Sequence, residues 1–155
     1  MIKLMRNIIL LGLLTFYASA ANSELRLIGK GTLSYFIWDV YEVSYFKNSS
    51  DDVELLKIRY LRDIEKKLSQ KGWQESLKHY DDIENQLKAF VESSVDVKEG
   101  DIISIYKLNG DQVVIKKNDK IILERKDDKK LYGLAHAPWI GEYPVDSDLK
   151  RDLLK

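Results

Sequence analysis

Arg59 and Arg62 bracket Tyr60 at the end of an apolar run, and they are the side chains of this chain with the plainest chemical use. A guanidinium at the mouth of a cleft can grip a carboxylate through two parallel hydrogen bonds. The blander role, favoured by the usual fate of such residues, is an ion pair with a nearby acid such as Asp63 or Asp39. On a strand, Arg59 and Tyr60 face opposite sides. Asp39 interrupts an apolar odd-numbered face between Ile37 and Tyr41, where an unpaired carboxylate would cost several kcal/mol, so it calls for a bulge, a sheet edge or an Arg partner. Phe36, Trp38 and Tyr106 are the aromatic candidates for ligand contact beside the two arginines. Other chemistry is poorly supplied. His79 and His136 stand 57 residues apart with no partner at helical spacing, and no nucleophile elbow, phosphate-cradling glycine loop or dinucleotide fingerprint occurs. Neither a metal nor a cofactor is expected. The pairs Asp51-Asp52, Asp81-Asp82 and Asp127-Asp128 fall in turn-like stretches, where capping and solubility account for them.

The elements that must position these residues follow an N-terminal segment of a different kind. Lys3 and Arg6, then the apolar run Ile8–Phe16, then Ala18-Ser19-Ala20 have the order of a cleavable export signal. Residues 1–20 are expected to be removed and residues 21–155 to form one domain in the periplasm. A permanent anchor needs about 18 to 20 consecutive apolar residues, and this run is broken at Thr15 and followed by Asn22, Ser23 and Glu24. The chain has no cysteine, which closes the route to a lipid-anchored cysteine and leaves stability to the core alone. Without Lys3 and Arg6 there remain 23 basic and 25 acidic residues, a net charge of 2 negative. Nucleic acid, which requires a clustered basic surface, is not an expected partner.

Thr32–Phe46 is rich in β-branched and aromatic residues and reads as a strand. Its odd positions Leu33, Tyr35, Ile37, Tyr41, Val43 and Tyr45 share one side, and Phe36, Trp38 and Val40 the other, so both faces are expected to be covered around the middle. Val53–Tyr60 reads as a second strand. Asp63 is placed to cap a helix with Ile64, Leu68, Trp73 and Leu77 on its apolar side, weakened at Gly72 by about 1 kcal/mol relative to Ala. Ile83, Leu87, Phe90 and Val91 mark a second helix ending near Ser94. Strands return at Ile102–Leu108, Gln112–Lys117 and Ile121–Arg125, the first two joined by Asn109-Gly110, a strong hairpin signal. The tail predicts a helix over Leu131–Ile140 and a short one from Asp146 with Leu149, Leu153 and Leu154 on one side. Strand runs alternating with paired helices, without βαβ alternation, give an α+β fold: an antiparallel sheet covered mainly on one face.

Three segments carry a likeness to a known family: Gly29–Tyr41 (GKGTLSYFIWDVY), Leu56–Ile64 (LKIRYLRDI) and Leu134–Leu154, with Val97–Tyr106 fitting between. The chain resembles the bacterial chalcone isomerase-like proteins, exported relatives of the plant flavonoid enzyme. The resemblance implies a large antiparallel sheet under a helical layer, with a cleft between them that holds a flavonoid in the enzymes and a fatty acid in some non-catalytic relatives. The catalytic groups do not carry over. Aligned on Val40-Tyr41, Phe36 stands at the place of the family's threonine and about Glu24 at that of its arginine, although Arg26 could serve after a two-residue shift. A phenyl ring cannot polarise a ketone. The expected function is therefore non-catalytic binding of an apolar, fatty-acid-like or aromatic small molecule. A chalcone isomerase activity and an envelope interaction module, the latter suggested by nine tyrosines and three tryptophans, are the alternatives.

Overall fold

The computed structural model describes residues 24–155; the expected export signal, residues 1–20, lies outside them. Six strands form one antiparallel sheet in sequence order: β1 (Arg26–Tyr35), β2 (Trp38–Lys47), β3 (Val53–Tyr60), β4 (Ile102–Leu108), β5 (Gln112–Lys117) and β6 (Lys120–Arg125). Helices α1 (Lys66–Leu77) and α2 (Glu84–Ser93) are inserted between the paired strands β3 and β4, and α3 (Lys129–Leu134), α4 (Ala137–Ile140) and α5 (Ser147–Leu153) follow β6. No helix among the described residues is long and apolar enough to cross a membrane.

Alternation decides which face each strand buries. Cross-strand partners Tyr41–Tyr60, Val43–Ile58–Ile103 and Tyr45–Leu56–Ile105–Ile115 lie on one face. With Leu77 and Phe90 of the inserted helices and Leu131, Trp139, Leu149 and Leu153 of the tail they make a single core. The opposite face carries Glu42, Arg59 and Lys57.

The long strand expected over Thr32–Phe46 is two strands. Phe36 and Ile37 form a two-residue turn, with Tyr35 paired to Trp38, and the coverage expected on both faces is absent there: Phe36 is 85% exposed and Trp38 53%. Phe36 holds φ at 55°, a region that costs a residue with a side chain about 1 kcal/mol or more. Phe36→Gly is expected to raise stability by about 1 kcal/mol, read as a higher urea midpoint at unchanged slope. The Asn109-Gly110 turn forms as expected, with both residues at positive φ.

Other expectations change in detail. The helix over Leu131–Ile140 is broken into α3 and α4, because Pro138 lacks the N–H that a continuous helix would use there and instead opens the second helix. Asp63 does not cap α1, whose N-cap is Glu65; it accepts from the Glu99 backbone N–H at 2.9 Å. Leu68 and Leu154, expected inside, are 58% and 48% exposed.

The tail closes on β1 through its glycines. A Cβ on Gly29 would lie 2.5 Å from the Leu153 carbonyl oxygen, so α5 approaches this strand backbone to backbone. Gly29→Ala is expected to cost about 2–3 kcal/mol by overpacking a contact whose neighbours are main chain. Limited proteolysis should then cut first at the loosened C-terminal helix.

Candidate functional site

The inner face of the sheet and the helical layer do not meet everywhere. Between them lies a cavity of about 360 Å³, within the size range of small-molecule sites. Its floor is Leu33, Tyr41, Ile58, Tyr60, Ile103 and Ile105 of the sheet, and its roof is Leu68, Ser69, Gly72, Trp73 and Ser76 of α1. Ser94, Val95 and Val97 after α2, with Pro138 and Trp139 of α4, close the sides. The roof residues repeat at helical spacing, which turns one stripe of α1 toward the cavity. The stripe contains a glycine at its centre: a Cβ on Gly72 would meet nothing within 4 Å.

A bulge shapes the floor. Leu33 pairs with Tyr41 and Ser34 with Asp39, leaving Val40 as an extra residue on β2. Bulges redirect side chains locally, and here both Val40 and Tyr41 line the cavity. The adjacent Asp39 is then accommodated outside the core, accepting from the Ser34 hydroxyl at 2.6 Å.

The cavity wall carries no charged side chain. Its polar groups are hydroxyls. Trp139 donates its indole N–H to the Tyr41 oxygen at 3.0 Å, which leaves the Tyr41 proton for another acceptor. Ser94 and Ser93 donate to the Phe90 carbonyl. Burial pushes the Tyr60 phenol pKa up to about 12; burial likewise holds Tyr41 well above the ordinary phenol range. Both phenols therefore stay protonated near neutral pH and act as hydrogen-bond donors. Trp73 stacks on Phe90 at 4.1 Å and meets Trp139 edge-on at 5.7 Å, which stiffens the wall.

None of the five side chains singled out from the sequence lines this cavity. Arg59 lies on the outer face and pairs with Glu42 at 2.5 Å, the bland role, with a partner that the sequence did not suggest. Arg62 donates to the Asp39 carbonyl at 3.1 Å and stacks over Trp38 at 4.2 Å, so these two do come together, at the ends of β2 and β3 outside the cavity lining. Phe36 is at the turn tip. Tyr106 belongs to the outer face, in a cross-strand row with Phe46, Leu55 and Val114, and Lys116 lies over its ring. The guanidinium expected at the cleft mouth is not among the groups lining the cavity, and between the arginines it is Tyr60 that points inward. Arg26 is at the start of β1, paired with Lys47, and is not a cavity residue. Tyr41, Tyr60, Trp73 and Trp139, the groups that do line it, read in the sequence as core. Only their polar tips could have signalled otherwise.

A second polar cluster lies elsewhere on the inner face. Glu54 accepts from the Tyr45 phenol and from Tyr132 at 3.3 Å, and pairs with Lys107 at 3.2 Å. Burial pushes the Glu54 carboxyl up, but the Tyr45 hydrogen bond and the Lys107 charge together hold it below its usual range. Beside this cluster His136 is buried, with Nε2 donating to the Ile105 carbonyl at 2.8 Å and Nδ1 without a partner. Among the described residues no group of His, Cys, Asp and Glu could hold a metal ion.

A six-stranded meander under one helical layer, with an apolar cavity between the two, defines the class of α+β fold. The chain belongs to the chalcone isomerase-like family, whose model matches residues 15–155. Among solved structures it is similar to the crystal structure of an Arabidopsis thaliana fatty-acid binding protein, at 17% identity over 90% of each chain with a TM-score of 0.69. No curated protein matches its sequence.

Proposed function

We propose that this chain is a non-catalytic binding protein for an amphipathic apolar molecule held between sheet and helices, exported to the periplasm after loss of residues 1–20. The observation that carries the reading is the cavity wall: hydrocarbon and aromatic rings, four serines and three tyrosines, two of them buried, with no side chain that is charged. A general acid or base poised near neutral pH is the usual requirement for isomerase chemistry, and phenols held this far up supply hydrogen bonds instead. The fold shared with a fatty-acid binding protein supports the same reading.

The wall also selects the polar end of the ligand. An ionised carboxylate buried here would meet phenol donors and no cation, and burial without a counter-charge favours the neutral form. A hydroxyl, a carbonyl or a protonated carboxyl suits the free Tyr41 proton. Native mass spectrometry of the purified protein, followed by solvent extraction, is expected to show an apolar small molecule bound one to one. A protein that is always empty, and from which no long-chain alcohol, ketone or acid displaces a fluorescent apolar probe, would sink the proposal.

The reading of an envelope interaction module also has one observation in its favour, the apolar tip of the β1–β2 hairpin.

A further inference from the structure

Four consecutive large side chains stand in solvent at one point of this molecule. Tyr35, Phe36, Ile37 and Trp38 are 68%, 85%, 85% and 53% exposed, and they form the protruding end of the β1–β2 hairpin. We propose that this tip docks on a lipid bilayer carrying anionic headgroups, and that the cavity exchanges its ligand there.

Three features favour a bilayer as the occupant. The first is chemical: tyrosine and tryptophan are the side chains that settle at the membrane–water boundary, and phenylalanine and isoleucine at the foremost point can enter the hydrocarbon. A convex turn two residues wide suits insertion into a fluid phase and gives little area to a protein partner. The second is charge. Arg62 is stacked on Trp38, and Lys67 and Lys71 flank Leu68 on the exposed side of α1; none of the three cations has an ion-pair partner among the described residues. On the acidic side, Glu75 is paired with Lys78 and Asp63 with Lys98, while Asp39, which keeps its charge under the Ser34 hydrogen bond, and Glu65 leave two negative charges against the three cations. Unpaired cations beside an apolar tip attract anionic headgroups. The third is position. The exposed residues among those lining the cavity mark its mouth, and the largest are Tyr35 of the tip, Leu68 of α1 and Val145. An apolar ligand leaving or entering by that mouth would otherwise cross water.

This inference rests on the ligand-binding reading for its purpose but not for its test. Trp38 is the most exposed of the three tryptophans, since Trp139 is buried and Trp73 packs against the core. Residues 21–155, the mature chain, should therefore show quenching of Trp38 fluorescence when mixed with vesicles of brominated phosphatidylcholine and phosphatidylglycerol. They should sediment with those vesicles, and bind at least tenfold less well to phosphatidylcholine alone or at high salt. Phe36→Gly, which relieves a strained turn and should fold more stably than the parent, is expected to lose vesicle binding about tenfold, and Phe36→Gly with Ile37→Ser more. Absence of sedimentation by the parent, or equal sedimentation by the double variant, overturns the proposal. So does a parent that forms dimers and a double variant that does not, with neither bound to vesicles, since the occupant would then be a second copy. Ligand content measured on the same samples separates the two readings: vesicle binding with a permanently empty cavity keeps the docking surface and fails the carrier. A loaded cavity without vesicle binding does the reverse.

Discussion

Gly72→Trp is expected to abolish ligand binding, with a loss of at least about 100-fold in affinity for any apolar probe that fills the cavity. Residue 72 is at the middle of the α1 stripe that faces the cavity, between Leu68 and Ser76, and there is open space where its side chain would start. Gly72 is itself exposed, so an indole grown from this point covers the mouth of a cavity of about 360 Å³. Folding is not at risk, because any ordinary residue is a better helix former than glycine. Gly72→Ala separates the two effects: it should raise stability by about 1 kcal/mol and leave most of the cavity open. Titration of an environment-sensitive fatty probe against the parent and both variants reads the result. Binding to Gly72→Trp at the parent's affinity would show that the site is elsewhere.

The second large effect is on stability against pH. Burial depresses the His136 pKa from 6.5 to about 3, and although the Ile105 carbonyl favours the charged form it does not offset that cost. Glu54 pulls the same way as Ile105, while Lys107 adds to the depression. Between these two values the unfolded chain binds a proton that the folded one refuses. Stability is therefore full above about pH 6.5 and is lost as pH falls toward about 3, by as much as about 5 kcal/mol at 1.36 kcal/mol for each unit of pKa difference. That is a large part of the 5–15 kcal/mol typical of a domain. Urea unfolding of the parent between about pH 7 and about pH 4 should show a midpoint that falls steeply with acid. His136→Gln, whose amide N–H can still donate toward the Ile105 carbonyl, should remove most of that slope at some cost at neutral pH. Equal slopes in the two proteins would assign the acid sensitivity to other groups.

How far the sequence spoke for this molecule depended on whether the local chemistry agreed with the final structure. Asn109-Gly110 has turn chemistry and was legible at once; Phe36-Ile37 has none, so the strand pattern ran straight through a two-residue turn. Pro138 was in plain view, yet the apolar spacing on either side masked the break between α3 and α4. The bulge that Asp39 called for exists one residue on, at Val40. For the site, alternation correctly separated Arg59 from Tyr60, but nothing in a single strand says which face lies under the helices. Tertiary packing decides that, and it chose the phenol. A cavity is also a property of what fails to fill space, so its lining residues carry the same signature as any core.

The insertion of α1 and α2 between two neighbouring strands has a dynamic consequence. The hydrogen bonds that join β3 to β4 run from Val53–Leu108 to Arg59–Ile102 and need nothing from residues 61–101, which leave the sheet and return to it at the same end of this strand pair. The cavity's roof can therefore open without breaking the ladder beneath it, at the cost of the core contacts made by Leu77 and Phe90. The Ile64–Val97 bridge and the Gln70 amide on the Val91 carbonyl at 3.1 Å hold this excursion together internally, while Leu77, Phe90 and the Trp73–Trp139 contact tie it to the core. A ligand too large for the mouth would then be admitted by the transient melting of two helices, at a rate governed by their own stability.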